Sequence, residues 1–156
     1  IRDWYLQNNI LMENKNILFV CTGNSARSII AETIIKNKYH NRFNAFSAGS
    51  NPTGKVNEDV KNYLISKNFN LLNCRSKNFD EFTNNEIKID YVITVCNNAN
   101  NEICPVWPKK DEIIHWDIED PVVELKKANN IDKKKEILDT VFNKINKKIQ
   151  MFVNEK

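Results

Sequence analysis

The sequence predicts an α/β domain of three layers, a four-stranded parallel sheet with helices on both faces. Three observations lead there. Four short β-prone apolar runs, at 17–20, 44–48, 91–95 and 113–114, are too brief to be helices. The segments between and after them carry apolar residues at helical spacing, and strands that alternate with helices close as a parallel sheet through right-handed crossovers. The chain has 156 residues, 41% apolar and 28% charged, which suits one globular core and leaves room only for a very small second domain.

Residues 1–11 precede that pattern. From Ile1 to Glu13 the chain holds no glycine and one brief apolar patch, Ile10 to Met12, so it reads there neither as a signal peptide nor as a membrane span. We read 1–11 as an upstream or appended extension of unknown role and 12–156 as the domain, expected in the cytoplasm. Ile17, Leu18, Phe19 and Val20 form the first strand, apolar enough to be buried on both faces. It ends at Cys21. Gly23 and Asn24 break the run, Ser25 is placed as an N-cap, and Ala26, Ile29, Ile30, Thr33 and Ile34 mark one face of the first helix.

The segment from Cys21 to Arg27 is thus a loop between a strand end and a helix start. Backbone N–H groups at the positive end of a helix dipole make such a loop a seat for a tetrahedral oxyanion. Cys21 at its mouth is a candidate nucleophile, because the helix terminus and the Arg27 guanidinium both favour a thiolate. Arg27 can hold two oxygens of the anion at once, which lysine cannot. The competing reading is a buried structural cysteine beside a surface arginine. Cys, five residues, Arg, Ser in this context is more specific than that.

The second strand, Asn44 to Ala48, stops at Gly49 and Pro52, and 51–54 is a turn. Asn57 caps a second amphipathic helix through Val60, Tyr63 and Leu64 that fades after Lys67. Cys74 lies near Phe79 and Phe82 and is read as packing. Tyr91 to Val95 is the third strand and it too ends at a cysteine, Cys96. Ile113 and Ile114 form the fourth, before His115 and Trp116. His115 is read as packed beside the tryptophan, His40 as a surface residue, and Asp117 and Glu119 as solvated loop acids. Asp132 is placed as the cap of a last helix with Ile137, Leu138, Val141, Phe142, Ile145, Ile149 and Phe152 on its apolar face.

The net charge of +3 comes from lysines scattered over helices, not from a stripe, so neither nucleic acid nor membrane is an expected partner. No internal repeat is present.

CTGNSARS followed by IIAE resembles the phosphate-binding loop of the low-molecular-weight protein tyrosine phosphatase superfamily, and more narrowly its thiol-coupled arsenate reductases. The resemblance runs from about 16 to 152 and includes a TVCNNA-like strand end and a CPVWP-like loop exit. It implies the corresponding fold and the reduction of arsenate to arsenite for arsenic detoxification. By that resemblance Cys21 is the nucleophile, and Thr22, Gly23, Asn24, Ser25, Ala26, Arg27 and Ser28 bind the oxyanion, a seat that phosphate or sulfate also fits. Asn24 and Ser47 brace the loop, and Asp120, followed by Pro121, is the general acid. The small tyrosine phosphatases usually carry a further cysteine in the loop and aromatic residues after Asp-Pro. Here Ser25, Ala26, Val122 and Val123 stand instead.

Cys96 and Cys104 flank a polar Asn-rich loop on the carboxyl edge where active sites of parallel sheets lie. The resemblance makes them successive thiols of a relay: Cys96 attacks the Cys21 sulfur and expels arsenite, then Cys104 attacks Cys96. The loop must bend to bring their Cα atoms within about 7 Å. A zinc pair is the weaker alternative, since no short C-x-x-C and no histidine cluster accompany them, and no metal is expected. A purely structural disulfide and inert cysteines remain as further alternatives. No tightly bound cofactor is implied. The partners are an external thiol donor, thioredoxin or glutathione with glutaredoxin, and a monomer is expected. The competing functions are a phosphatase working through a phosphocysteine, and a non-catalytic oxyanion or redox sensor.

Overall fold

The computed structural model describes residues 13–71, 73–84, 86–99, 102–109 and 112–156; the expected extension 1–11 lies outside them. Four strands form one sheet: β1 (Lys15–Cys21), β2 (Phe43–Gly49), β3 (Tyr91–Cys96) and β4 (Glu112–Asp117). Their spatial order is β2-β1-β3-β4 and every pairing is parallel. The helices are α1 (Arg27–Lys38), α2 (Glu58–Ser66), α3 (Val122–Lys127) and α4 (Ile131–Glu155), with a 3-10 helix at Phe79–Phe82.

Strand β1 is central and buried from Ile17 to Cys21, so its side chains serve two cores by simple alternation. Ile17 and Phe19 face α1, α2 and α4, while Leu18 and Val20 face the other side, where the 3-10 helix, Ile89 and Trp107 form the cover. Phe79 and Trp107 meet edge to face there, with ring centres 5.7 Å apart.

Helix α1 is buried along its whole first nine residues, Arg27 to Ile35, rather than on one face. The sheet takes one side and α4 packs over another. The polar residues so enclosed all have partners, since no buried side-chain N or O among the described residues is left without one.

Two expected caps move. An N-cap is the residue whose carbonyl takes the first helical bond. The Ser25 carbonyl is drawn instead to the Asn57 amide (2.9 Å), and the Ala26 carbonyl accepts from Ile30 N (2.9 Å), so α1 starts one residue later with no side-chain cap. At α4 the cap is Asn130, whose side chain accepts from Lys133 N (2.8 Å), and Asp132 falls inside the first turn. Asn57 caps α2 as expected, accepting from Val60 N at 3.1 Å. His115 is not packed: β4 is an edge strand that turns Trp116 inward and leaves His115 exposed, paired with the Thr94 hydroxyl at 2.8 Å. Asp117 closes β4 instead of standing in the following loop.

Among the described residues no helix is long and apolar enough to cross a membrane.

Candidate active site

Sheet order reverses between β1 and β3: β1 leads to β2 on one side, while β3 lies on the other. A crevice opens at the carboxyl ends of strands at such a point. Val20 pairs with Thr94, so Cys21 and Cys96 end adjacent strands on one edge. The sequence-predicted residues are brought together there.

The chain from Cys21 to Ala26 is strapped down by the segment after β2. Thr22 O accepts from Asn51 N (2.9 Å), Gly23 O from Thr53 N (3.0 Å) and Ser25 O from Asn57 N (2.9 Å). The turn at Asn24 needs a left-handed backbone (φ 47°), which asparagine tolerates better than most residues. Gly49 allows the close approach of β2 to this loop. A Cβ there would run into the Thr22 carbonyl oxygen and lie 3.1 Å from both Asn24 N and Asn24 Cβ. Because the obstacles are chiefly backbone, Gly49→Ala is expected to cost about 2 kcal/mol or more in urea unfolding and to distort the loop.

Asn24 is fully buried and spends every side-chain hydrogen-bonding group on the loop. Its Nδ2 donates to Ser28 Oγ (2.8 Å) and to Ser47 Oγ (2.9 Å), and its Oδ1 accepts from Lys77 N (2.9 Å). Ser47 in turn donates to the Glu32 carboxylate, which also holds the Lys36 ammonium. Ser28 Oγ accepts from Asn24 and lies 2.9 Å from Cys21 Sγ, where its hydrogen is free to serve a thiolate, and Asn24 N donates to the same sulfur at 3.2 Å. A sulfur anion at Cys21 would thus have a backbone and a hydroxyl donor. Asn24 and Ser47 therefore stand where a bracing role expects them, and Glu32 extends the same network.

Arg27 is 2% exposed. Its Nη1 donates to the Ile118 carbonyl (2.9 Å), and Asp120 Oδ2 lies 3.7 Å from Nη2. Asp120 is held in turn by Val122 N, 3.0 Å from its Oδ1. Burial alone would pull the Arg27 pKa down, but the hydrogen bond to Glu102 and the charges of Cys21 and Asp120 outweigh it and leave it raised.

Glu102 was not singled out from the sequence. Its carboxylate accepts from Arg27 Nη1 (2.7 Å) and from Arg27 Nη2, from Thr22 Oγ1 (2.9 Å) and from Asn97 N (2.9 Å). Desolvation pushes the Glu102 carboxyl up, yet these donors together hold it below the usual range. The readable signal was that CNNANNEIC contains one charged side chain.

Cys96 and Cys104 are joined in a disulfide, with Cα atoms 5.7 Å apart, inside the reach expected of the bent loop. Cys96 is fully buried and Cys104 partly exposed. Cys21 and Cys74 are free thiols. Cys74 lies half-buried with Sγ 3.6 Å from Thr33 Oγ1, and desolvation pushes its thiol up, in keeping with a packing role. Among the described residues no group of His, Cys, Asp and Glu is arranged to hold a metal.

Comparison with known proteins follows the same lines. The chain is 36% identical over 111 residues to arsenate reductase 2 of Bacillus cereus, covering 70% of this chain and 80% of that protein. The arsenate reductase from Archaeoglobus fulgidus superposes with a TM-score of 0.64 at 26% identity, over 86% of this chain and 98% of the other. A low molecular weight protein tyrosine phosphatase from T. tengcongensis shares the fold, with a TM-score of 0.59 at 21% identity over 88% and 99% of the two chains. The signature of the low molecular weight phosphotyrosine protein phosphatases matches residues 16–155, from the first residues of β1 to the end of α4. With its strand-end cysteine, anion loop and buried arginine set on that scaffold, the chain belongs to the low molecular weight phosphotyrosine protein phosphatase family.

Proposed function

We propose that this protein reduces arsenate to arsenite with its own thiols. The observation that carries the reading is the Cys96–Cys104 disulfide on the same sheet edge as Cys21. A phosphatase has no use for it, whereas it is the expected end state of a thiol relay. The arsenate reductases among the similar proteins support the same choice.

The Cys21 thiolate attacks arsenic, an As–O bond breaks, and the oxygen leaves as water with a proton from Asp120. Arg27 and the loop amides hold the remaining oxygens. The Cys96 thiolate then attacks the Cys21 sulfur. The S–As bond breaks with its electron pair passing to arsenic, so arsenate leaves as arsenite and a Cys21–Cys96 disulfide forms. Cys104 attacks Cys96, Cys21 leaves as thiolate, and the disulfide rests between Cys96 and Cys104. An external thiol donor, one dithiol or two monothiols, reduces it and is itself oxidised to a disulfide.

The donor is thioredoxin or glutathione with glutaredoxin. Whichever serves, burial decides which sulfur it meets. Cys96 is shielded and Cys104 is reachable. A donor lacking its resolving cysteine is therefore expected to be trapped on Cys104, and peptide mass spectrometry of the mixed disulfide checks this; an adduct on Cys96 would contradict the order of the relay.

Arsenite formation by the purified protein with NADPH and either donor system tests the function. Turnover with one of them supports it. Hydrolysis of an aryl phosphate without reductant, and no arsenite with either donor, would make the protein a phosphatase instead.

A further inference from the structure

The oxyanion seat already holds an anion, and it comes from the relay loop itself. Arg27 offers a planar fork of N–H donors suited to two oxygens of one ligand. Both arms of that fork are taken by the two carboxylate oxygens of Glu102, and Thr22 Oγ1 at the head of the loop closes on the same group at 2.9 Å. Nη1 is shared with the Ile118 carbonyl. An arriving oxyanion would meet a like charge on its own arginine.

The position of the carboxylate follows from the ring that the disulfide closes. Cys96 and Cys104 bracket Glu102, and bonds internal to the ring turn its side chain toward Arg27: Asn97 N to Glu102 Oε1 (2.9 Å), Glu102 N to Ala99 O (3.2 Å) and Ala99 N to Asn97 Oδ1 (2.6 Å). Breaking the S–S bond frees one end of this short segment, and the entropy that ring closure had removed returns to it. The carboxylate then has no covalent reason to stay.

We propose that Glu102 is a redox-gated internal anion: with Cys96 and Cys104 joined it occupies the oxyanion seat on Arg27 and Thr22, and reduction of the disulfide vacates that seat. The inference rests on the reading of the Cys21–Arg27 loop as an oxyanion site and adds when that site is open. The spent protein would exclude arsenate, and phosphate with it, until its thiols are restored, so no oxyanion is bound when Cys96 has no thiolate to complete the reaction.

Inorganic phosphate is the probe. Its binding is measured by titration calorimetry at neutral pH on full-length wild type and Glu102→Gln. Each is taken reduced with dithiothreitol and then oxidised with diamide, with the Cys96–Cys104 bond checked by peptide mass spectrometry. The reduced wild type is expected to bind phosphate about tenfold or more tightly than its disulfide form. In Glu102→Gln the disulfide form is expected to regain most of that affinity, and Glu102→Ala, with thermal melts to verify folding of both, should agree. Equal affinity of the two wild-type redox states would overturn the gate, as would a gap that persists unchanged in both folded variants. Absence of phosphate binding by the reduced wild type would overturn the oxyanion reading beneath it.

Discussion

Cys21→Ser is expected to lower arsenate turnover by about 10⁴-fold or more, to the level of the donor system without protein. Serine keeps the shape and hydrogen-bonding ability of the site. Ser28 Oγ and Asn24 N, which lie 2.9 and 3.2 Å from Cys21 Sγ, retain a partner, so the loop should fold as before. On the proposed mechanism, what disappears is the nucleophile and the oxidisable atom together. A hydroxyl stays protonated at neutral pH, and no S–S bond can form on it when Cys96 would attack. Aryl phosphate hydrolysis should fall with arsenate reduction, since both begin on the same atom. Arsenite assays and thermal melts on the same preparation check this. Turnover retained in a folded Cys21→Ser protein would move the chemistry to another cysteine.

The parts of this molecule that were readable in the sequence are those decided by local pattern. Ile17 to Val20, Tyr91 to Val95 and the stripe from Leu138 to Phe152 are apolar at strand or helix spacing, and burial in the structure follows them. Cys21 and Arg27 stood out by type and separation, a thiol at a strand end and a guanidinium within the following turn, and the structure sets both on the carboxyl edge of the sheet. Decisions made by distant partners were not readable. Ser25 has the chemistry of a cap, yet Asn57, some thirty residues on, takes its carbonyl. Asp132 and Asn130 are equally good caps on paper, and the entry path of the chain selects Asn130. Glu102 is the sharpest case. Its partners Arg27 and Thr22 are 75 and 80 residues away, and its polar loop has no periodicity from which a direction could be read.

The bracing network shows the same division. Asn24 and Ser47 could be placed only through a likeness to known loops, because Ser47 meets Asn24 and Glu32 only when β2 packs beside the loop and α1. Once assembled, the network has one direction. Lys36 pairs with Glu32, Ser47 donates to Glu32, Asn24 donates to Ser47 and Ser28, and Ser28 Oγ stands 2.9 Å from the sulfur with its hydrogen free to serve a thiolate.

Cys96→Ser is expected to separate the two chemistries that the family scaffold supports. On the proposed mechanism the first step, attack by Cys21 on a tetrahedral oxyanion, uses Arg27, the loop and Asp120, none of which this substitution replaces. Aryl phosphate hydrolysis, if the protein performs it, should therefore stay within about threefold of the reduced wild type, in which the Cys96–Cys104 bond is likewise open, since Cys96 takes no part in that step. Arsenate is different: its adduct on Cys21 becomes arsenite only when a thiolate attacks that sulfur, and a serine hydroxyl does not. Arsenite formation should fall by about 10³-fold or more. Against the reduced protein the cost in stability is small, roughly 1 kcal/mol for burying a hydroxyl where a thiol packs. Cys104→Ser should differ in kind, releasing one arsenite per protein and then stopping with a Cys21–Cys96 disulfide. A rapid-quench count of arsenite per protein in the two variants decides the order of the thiols; multiple turnovers by Cys96→Ser would remove Cys96 from the relay.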